Sequence, residues 1–181
     1  VPQYHAFGGR ASAGIVALNE TLFLQDYQDG AAINNVARNT IHEVAHQWFG
    51  EKLTPKITRG EKVLTESIAK AIEATVLGQM YGEAMQESLM AYNLRRYQSG
   101  RAFARQPEPS LLQLEQQEYI AYGKGPLVLQ ALHQQLGDDK YYGVLRNFIE
   151  QHQHEGLAIR VRTNARDEVQ DGVGDFFWPH D

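Results

Sequence analysis

The chain has 181 residues, 43% of them hydrophobic and 22% charged, with 17 Lys+Arg against 22 Asp+Glu for a net charge of −5. That length supports one globular domain with a sizeable core and is short for two. Mild acidity without a basic block excludes a protein built to hold nucleic-acid backbones, and the lack of cysteine excludes disulfides, cysteine-ligated zinc, iron–sulfur clusters and a cysteine nucleophile. No run of about 18 apolar residues occurs, so no segment reads as a membrane span. The first residue is Val1 rather than Met, and we expect a piece of a longer protein.

In chain order, residues 14–20 (GIVALNE) alternate as a short strand, with Ile15, Ala17 and Asn19 on one face and Val16 and Leu18 on the other. Asp29-Gly30 predicts a turn, and a helix is expected over 31–49 with Gly50 as its stop. Residues 51–63, with Pro55 and Gly60, read as a loop. A second helix starts near Thr65, carries Ile68, Ile72, Val76 and Met80 at four-residue spacing, and breaks at Gly82. A third turns Met85, Leu89 and Tyr92 inward and ends near Ser99-Gly100; Pro107 and Pro109 then mark a loop. A fourth covers 121–136 with Leu127, Ala131 and Leu132 inward and Gly137 as its stop. Asp138 or Asp139 caps a fifth, carrying Tyr142, Leu145, Phe148 and Ile149 and ending at Gly156. Thr163 or Asn164 would cap a last helix ahead of the aromatic cluster Phe176, Phe177 and Trp178. The expected fold is mostly α (α+β): a helical lobe with a short front strand, in a single domain over residues 1–181.

The chemistry is concentrated in His42-Glu43-Val44-Ala45-His46, an H-E-x-x-H on a helical pattern. Residues four apart on a helix differ by about 40° in azimuth and about 6 Å in rise, so both imidazoles face one way and can share a zinc ion. Glu43 lies beside that face, where it can reach a water but not readily the same ion. Ile41, Val44, Ala45, Trp48 and Phe49 surround the histidines with apolar residues, which argues for a half-buried helix rather than two surface histidines. A catalytic zinc needs a third protein ligand. Glu66 starts the next helix, and a helix–loop–helix return would bring it to the first; Glu61 and Glu73 are its rivals, Glu73 reading as a group behind the ligands or on the surface. No G-x-S-x-G occurs, so a serine nucleophile has no support.

The stretch HEVAHQWFG (42–50) resembles the zinc helix of the aminopeptidase N family, gluzincin metallopeptidases with a thermolysin-like catalytic domain, and matches its H-E-x-x-H-Q-W-F-G letter for letter. Residues 14–20 resemble the strand that family sets beside substrate, and Tyr122-Gly123-Lys124-Gly125 resembles its Y-E-K-G. The resemblance implies one zinc ion held by His42, His46 and Glu66, with Glu43 as general base. It also implies Tyr122 as donor to the oxyanion, Glu20 as a contact for the substrate amine, and removal of N-terminal residues from a peptide. The strand 14–20 would then pair with the extended peptide.

Two departures stand out. Nineteen residues (47–65) separate His46 from Glu66 where the family has eighteen, and the standard position holds Thr65. Gly8-Gly9-Arg10-Ala11-Ser12 stands where the family has G-A-M-E-N, so Ala11 replaces the glutamate that grips the α-amine. LTES (64–67) and residues 108–132 also resemble a bacterial branch in which such a domain is joined to membrane segments like those of a transporter permease, which implies a soluble domain of a bacterial membrane protein. The alternative function is a zinc-binding, peptidase-like module with little hydrolysis that serves in binding or assembly.

Overall fold

A computed structural model describes residues 8–24, 35–56 and 58–152. Two strands, β1 (Gly9–Ser12) and β2 (Ile15–Leu18), form an antiparallel hairpin with Gly9 opposite Leu18 and Ser12 opposite Ile15. Only Ala13 and Gly14 separate them, and Gly14 has φ +73°, a backbone state that glycine adopts without penalty. A 3-10 turn, Glu20–Leu24, follows. Five helices complete the described fold: α1 (Asn35–Ala45), α2 (Ile68–Tyr81), α3 (Glu83–Phe103), α4 (Gly125–Leu136) and α5 (Asp138–His152). Two π-helical turns, Val63–Ser67 and Ile120–Lys124, lead into α2 and α4.

Helix α2 is the hub, packed by α1, α3 and α4. Its Ala69, Ala71 and Ala74 are all buried, and small side chains let neighbouring backbones come close. On one side Leu64, Ile68 and Ala71 meet Phe49, Leu53, Leu129 and Phe148. On another, Ala74 and Leu77 meet Leu89, with Ile41 and Met85 against them. A third cluster joins the two π turns, with Val63 of the first against Ile120 and Ala121 of the second.

The expected elements are present with shifted ends. Regular α1 stops at Ala45, and turns carry the chain to Phe49, whose N–H still bonds Ala45 O at 3.1 Å. The second helix begins earlier than Thr65, as the π turn from Val63. The third does not end at Ser99-Gly100 but runs to Phe103, because Gly100 serves packing: a Cβ there would overlap the Tyr119 side chain. In α4 the inward residues are Gly125, Pro126 and Leu129, and Ala131 is exposed. In α5 the buried tyrosine is Tyr141 rather than Tyr142, while Leu145, Phe148 and Ile149 pack inward as expected. Strand β1 was not anticipated. The Asp29-Gly30 turn, Gly156, the last helix and the aromatic cluster lie outside the described residues.

Glycines at close contacts yield a signed test. A Cβ on Gly123 would sit 2.8 Å from the Tyr97 backbone N, and backbone cannot yield cheaply. Gly123→Ala is expected to destabilise by about 2 kcal/mol, whereas Gly143→Ala, in α5 with no atom within 4 Å of the new Cβ, should stabilise by about 0.5–1 kcal/mol. Urea denaturation of both variants reads the two signs.

Candidate metal centre

Helix α1 carries the H-E-x-x-H segment, with His42, Glu43 and Ala45 in its last turn and His46 in the turn that follows. The two imidazoles converge as the four-residue spacing demands, their Nε2 atoms 3.2 Å apart. Glu66, in the first π turn, faces both. Its Oε2 lies 3.3 Å from His42 Nε2 and 3.5 Å from His46 Nε2. The nineteen-residue separation therefore closes the cluster. Glu61 does not join it: among the described residues, His42, His46 and Glu66 form the one group of three or more with convergent ligand atoms.

These three residues fit a zinc ion. Zn–N and Zn–O bonds of about 2.0–2.2 Å in a tetrahedron place ligand atoms about 3.3–3.6 Å apart, the spacing found here. Glu66 Oε2 is buried and makes no hydrogen bond of acceptable geometry, although it faces two ring nitrogens. Burial works to raise the Glu66 carboxyl pKa, but the two facing imidazoles outweigh it and hold the group well below the ordinary carboxylate range. Burial likewise works to lower His42 and His46, and the neighbouring carboxylates reverse it, raising both. The pocket thus favours positive charge at its centre.

Each histidine is held from behind. His46 Nδ1 lies 3.1 Å from the Phe49 carbonyl, which takes its proton and leaves Nε2 as the free donor atom. His42 Nδ1 faces Glu73 Oε2 at 3.3 Å. Glu73 is only 2% exposed and is gripped by two cations: Lys70 Nζ donates to both its oxygens at 2.6 Å and Arg38 Nε to Oε1 at 2.7 Å. Burial opposes ionisation of Glu73, yet the facing His42 ring and the charges of Lys70 and Arg38 bring it down to about 2. Burial in turn lowers Lys70 to about 8, against the pull of Glu73. Of the two readings the sequence left for Glu73, the place behind the ligands is the observed one.

A cleft of about 310 Å³ opens over the cluster, lined by Gly9, Arg10 and Ala11 of β1, by Glu43, Gly50, Glu51, Thr65 and Tyr122, and by His42, His46 and Glu66 themselves. The strand bordering the cleft is therefore β1, not the expected 14–20, because β2 pairs behind it. Glu43 is 6% exposed, and a Cβ on Gly9 would press on its Cγ at 2.7 Å, so β1 can lie against Glu43 only with glycine there. Glu43 accepts a hydrogen bond from the Ala11 backbone N–H, and burial raises its pKa despite the opposing imidazoles. Tyr122 stacks on His42 with ring centroids 6.3 Å apart, under the Arg96 guanidinium at 4.4 Å. Burial, then the Glu66 charge, pushes its phenol well above the ordinary range, so it stays a proton donor.

Glu20 is not brought to this cleft. It is exposed at the start of the 3-10 turn after β2 and is absent from the cleft lining. Gln47 was overlooked. Its Oε1 accepts the Gly14 N–H at 2.7 Å and its Nε2 donates to Ser12 O at 3.0 Å, pinning the β1–β2 turn to the end of α1. The available signal was its place directly after His46 in the matched stretch.

The charge behind His42 makes acid stability predictable. Glu73 titrates near 2 when folded against an ordinary 4.5, so its contribution is complete above about 4.5 and is lost as pH falls towards 2. The urea-unfolding free energy of metal-free protein should fall across that window. Glu73→Gln should start less stable by about 3 kcal/mol, since buried Lys70 and half-buried Arg38 lose their partner, and show a shallower slope.

Comparison with known proteins identifies relatives of the chain. The chain is 26% identical to the probable aminopeptidase 2 of Sulfurisphaera tokodaii, over 98% of this chain and 22% of that protein. It is 28% identical to aminopeptidase N of Lactococcus lactis subsp. lactis, over 93% of this chain and 21% of that protein. It thus spans about a fifth of the length of these curated relatives. The crystal structure of an M1 zinc metallopeptidase from Deinococcus radiodurans shares the fold, with a TM-score of 0.61 and 20% identity over 87% of this chain and 32% of that one. A family model, the peptidase family M1 domain, matches residues 1–171, and the chain belongs to that family.

Proposed function

We propose that this chain is the metal-binding part of a zinc-dependent peptidase that removes residues from peptide N-termini, with one zinc ion held by His42, His46 and Glu66. The observation that carries the reading is the donor triangle of 3.2–3.5 Å with Glu43 beside it in one cleft. When bound there, zinc supplies Lewis acidity, which polarises a carbonyl and makes water a stronger acid. Glu43, its pKa raised by burial, takes the proton of the attacking water and returns it to the leaving amine. Tyr122 donates a hydrogen bond to the carbonyl oxygen as charge develops there, an interaction worth about 3 kcal/mol. An extended peptide would run along the cleft edge of β1, whose one strand partner among the described residues is β2.

Removal of N-terminal residues is supported by the names of the curated relatives, both aminopeptidases. Ala11 provides no carboxylate for the α-amine at the cleft, so digestion of a peptide mixture is the deciding measurement. Stepwise release of single N-terminal residues supports the reading; internal cuts would recast the enzyme as an endopeptidase; zinc binding without cleavage would leave a binding module. We also place the domain, over residues 1–181, within a longer protein. Membrane attachment of that protein rests on the resemblance of residues 64–67 and 108–132 alone. No helix among the described residues is long and apolar enough to cross a membrane. Fractionation of cells making the native protein tests the attachment: recovery in washed membranes supports it and recovery in the soluble fraction removes it.

Variants separate the roles. Purified protein should carry about one zinc per chain by elemental analysis, and Glu66→Ala should lose most of it. Glu43→Gln should keep the metal while turnover falls about 10²–10⁴-fold. Tyr122→Phe should keep the metal and KM while kcat falls about 10²–10³-fold.

A further inference from the structure

Glu66 and Tyr122 come from distant parts of the chain, yet both sit in π-helical turns, and those turns pack together. In each turn the closing N–H reaches back five residues, from Ile68 to Val63 O and from Gly125 to Ile120 O. Such turns are rare and concentrate at functional sites.

The second turn has a hydrogen-bonding problem that the sequence makes explicit. In an α-helix the Ala121 carbonyl would accept the Gly125 N–H, but that N–H is bonded to Ile120 O. The next available donor, five residues on, would be residue 126, which is proline and has no N–H. Ala121 is fully buried, so an unmatched carbonyl there would be costly. The missing donor comes from the other turn. Ser67, itself 0% exposed, donates its hydroxyl to Ala121 O at 2.7 Å. Gly125 makes this approach possible, because any Cβ there would overlap the Ser67 side chain.

We propose that Ser67 is a positioning residue: its hydroxyl replaces the donor that Pro126 lacks, and so ties the turn carrying Tyr122 to the turn carrying Glu66. Each end of the bond is adjacent in sequence to a site residue, Ser67 to Glu66 and Ala121 to Tyr122. The tie therefore sets the distance between metal ligand and oxyanion donor. This inference rests on the metallopeptidase reading for its consequence in catalysis, but not for the existence of the tie.

The test uses Ser67→Ala, Pro126→Ala and the double variant. Pro126→Ala restores a backbone N–H five residues after Ala121, so it can satisfy the carbonyl that Ser67→Ala abandons. In metal-free protein, amide exchange over residues 120–125 should speed up about tenfold or more in Ser67→Ala and return most of the way in the double variant. On a peptide that the wild type cleaves, Ser67→Ala should lower kcat about tenfold with KM within about twofold, and the double variant should recover the rate. In a Tyr122→Phe background the Ser67→Ala effect should shrink to within about twofold, since the two act through one group. Unchanged exchange in Ser67→Ala, no recovery on adding Pro126→Ala, or an undiminished effect beside Tyr122→Phe would each overturn the proposal. Wild-type protein that binds zinc and cleaves nothing would instead overturn the peptidase reading and the catalytic use of the tie, while exchange still decides whether the tie exists.

Discussion

Three donor atoms, His42 Nε2, His46 Nε2 and Glu66 Oε2, must be held half-buried within 3.5 Å of one another, and most of the surrounding structure answers that demand. The rings that face this carboxylate are backed in turn, His46 Nδ1 by the Phe49 carbonyl at 3.1 Å and His42 Nδ1 by the Glu73 carboxylate at 3.3 Å. Glu73 would be expensive to bury alone, and Arg38 and Lys70 offset its charge from two helices, α1 and α2. The small residues of α2 then let α1 approach closely enough for these contacts. Position, charge and packing are thus one problem solved jointly.

The grouping of His42, Glu43 and His46 was legible in the sequence because it follows from local geometry. Helical periodicity alone puts His42 and His46 on one face and Glu43 beside it. Glu66 was harder, since its arrival depends on how the loop returns, and the extra residue before it could have moved it away. The cleft wall was misassigned for a related reason. β1 is only Gly9, Arg10, Ala11 and Ser12, with no alternating pattern to mark a strand, and it is held by pairing with β2 and by the Gln47 clamp. The end of α3 misled in the same way: Gly100 looks like a stop but is a point of contact with Tyr119. Glu20 lies outside the cleft lining because a strand-end glutamate can turn either way, and this one continues into a 3-10 turn.

The π turns left no trace in the periodicity, because each disturbs the helical repeat for only one turn. Their signature is instead a set of compatible exceptions: a serine fully buried, a glycine where a side chain would collide, and a proline one position later. None of these is informative alone. Taken together they describe a carbonyl that needs a donor and a hydroxyl placed to provide one.

The sequence distances within the cleft are unequal, and this bears on how it assembles. The three zinc-fitting donors all come from residues 42–66, joined by one short return of the chain, while Tyr122 lies in a turn beyond the whole of α3. Closing the first set confines few residues, whereas docking the second must bring a much longer stretch into register. Convergence of the three donors and docking of Tyr122 beside them therefore make unequal demands on the chain. On a ribosome the segment with His42, His46 and Glu66 emerges first, and all of α3 must follow before the turn carrying Tyr122 is made.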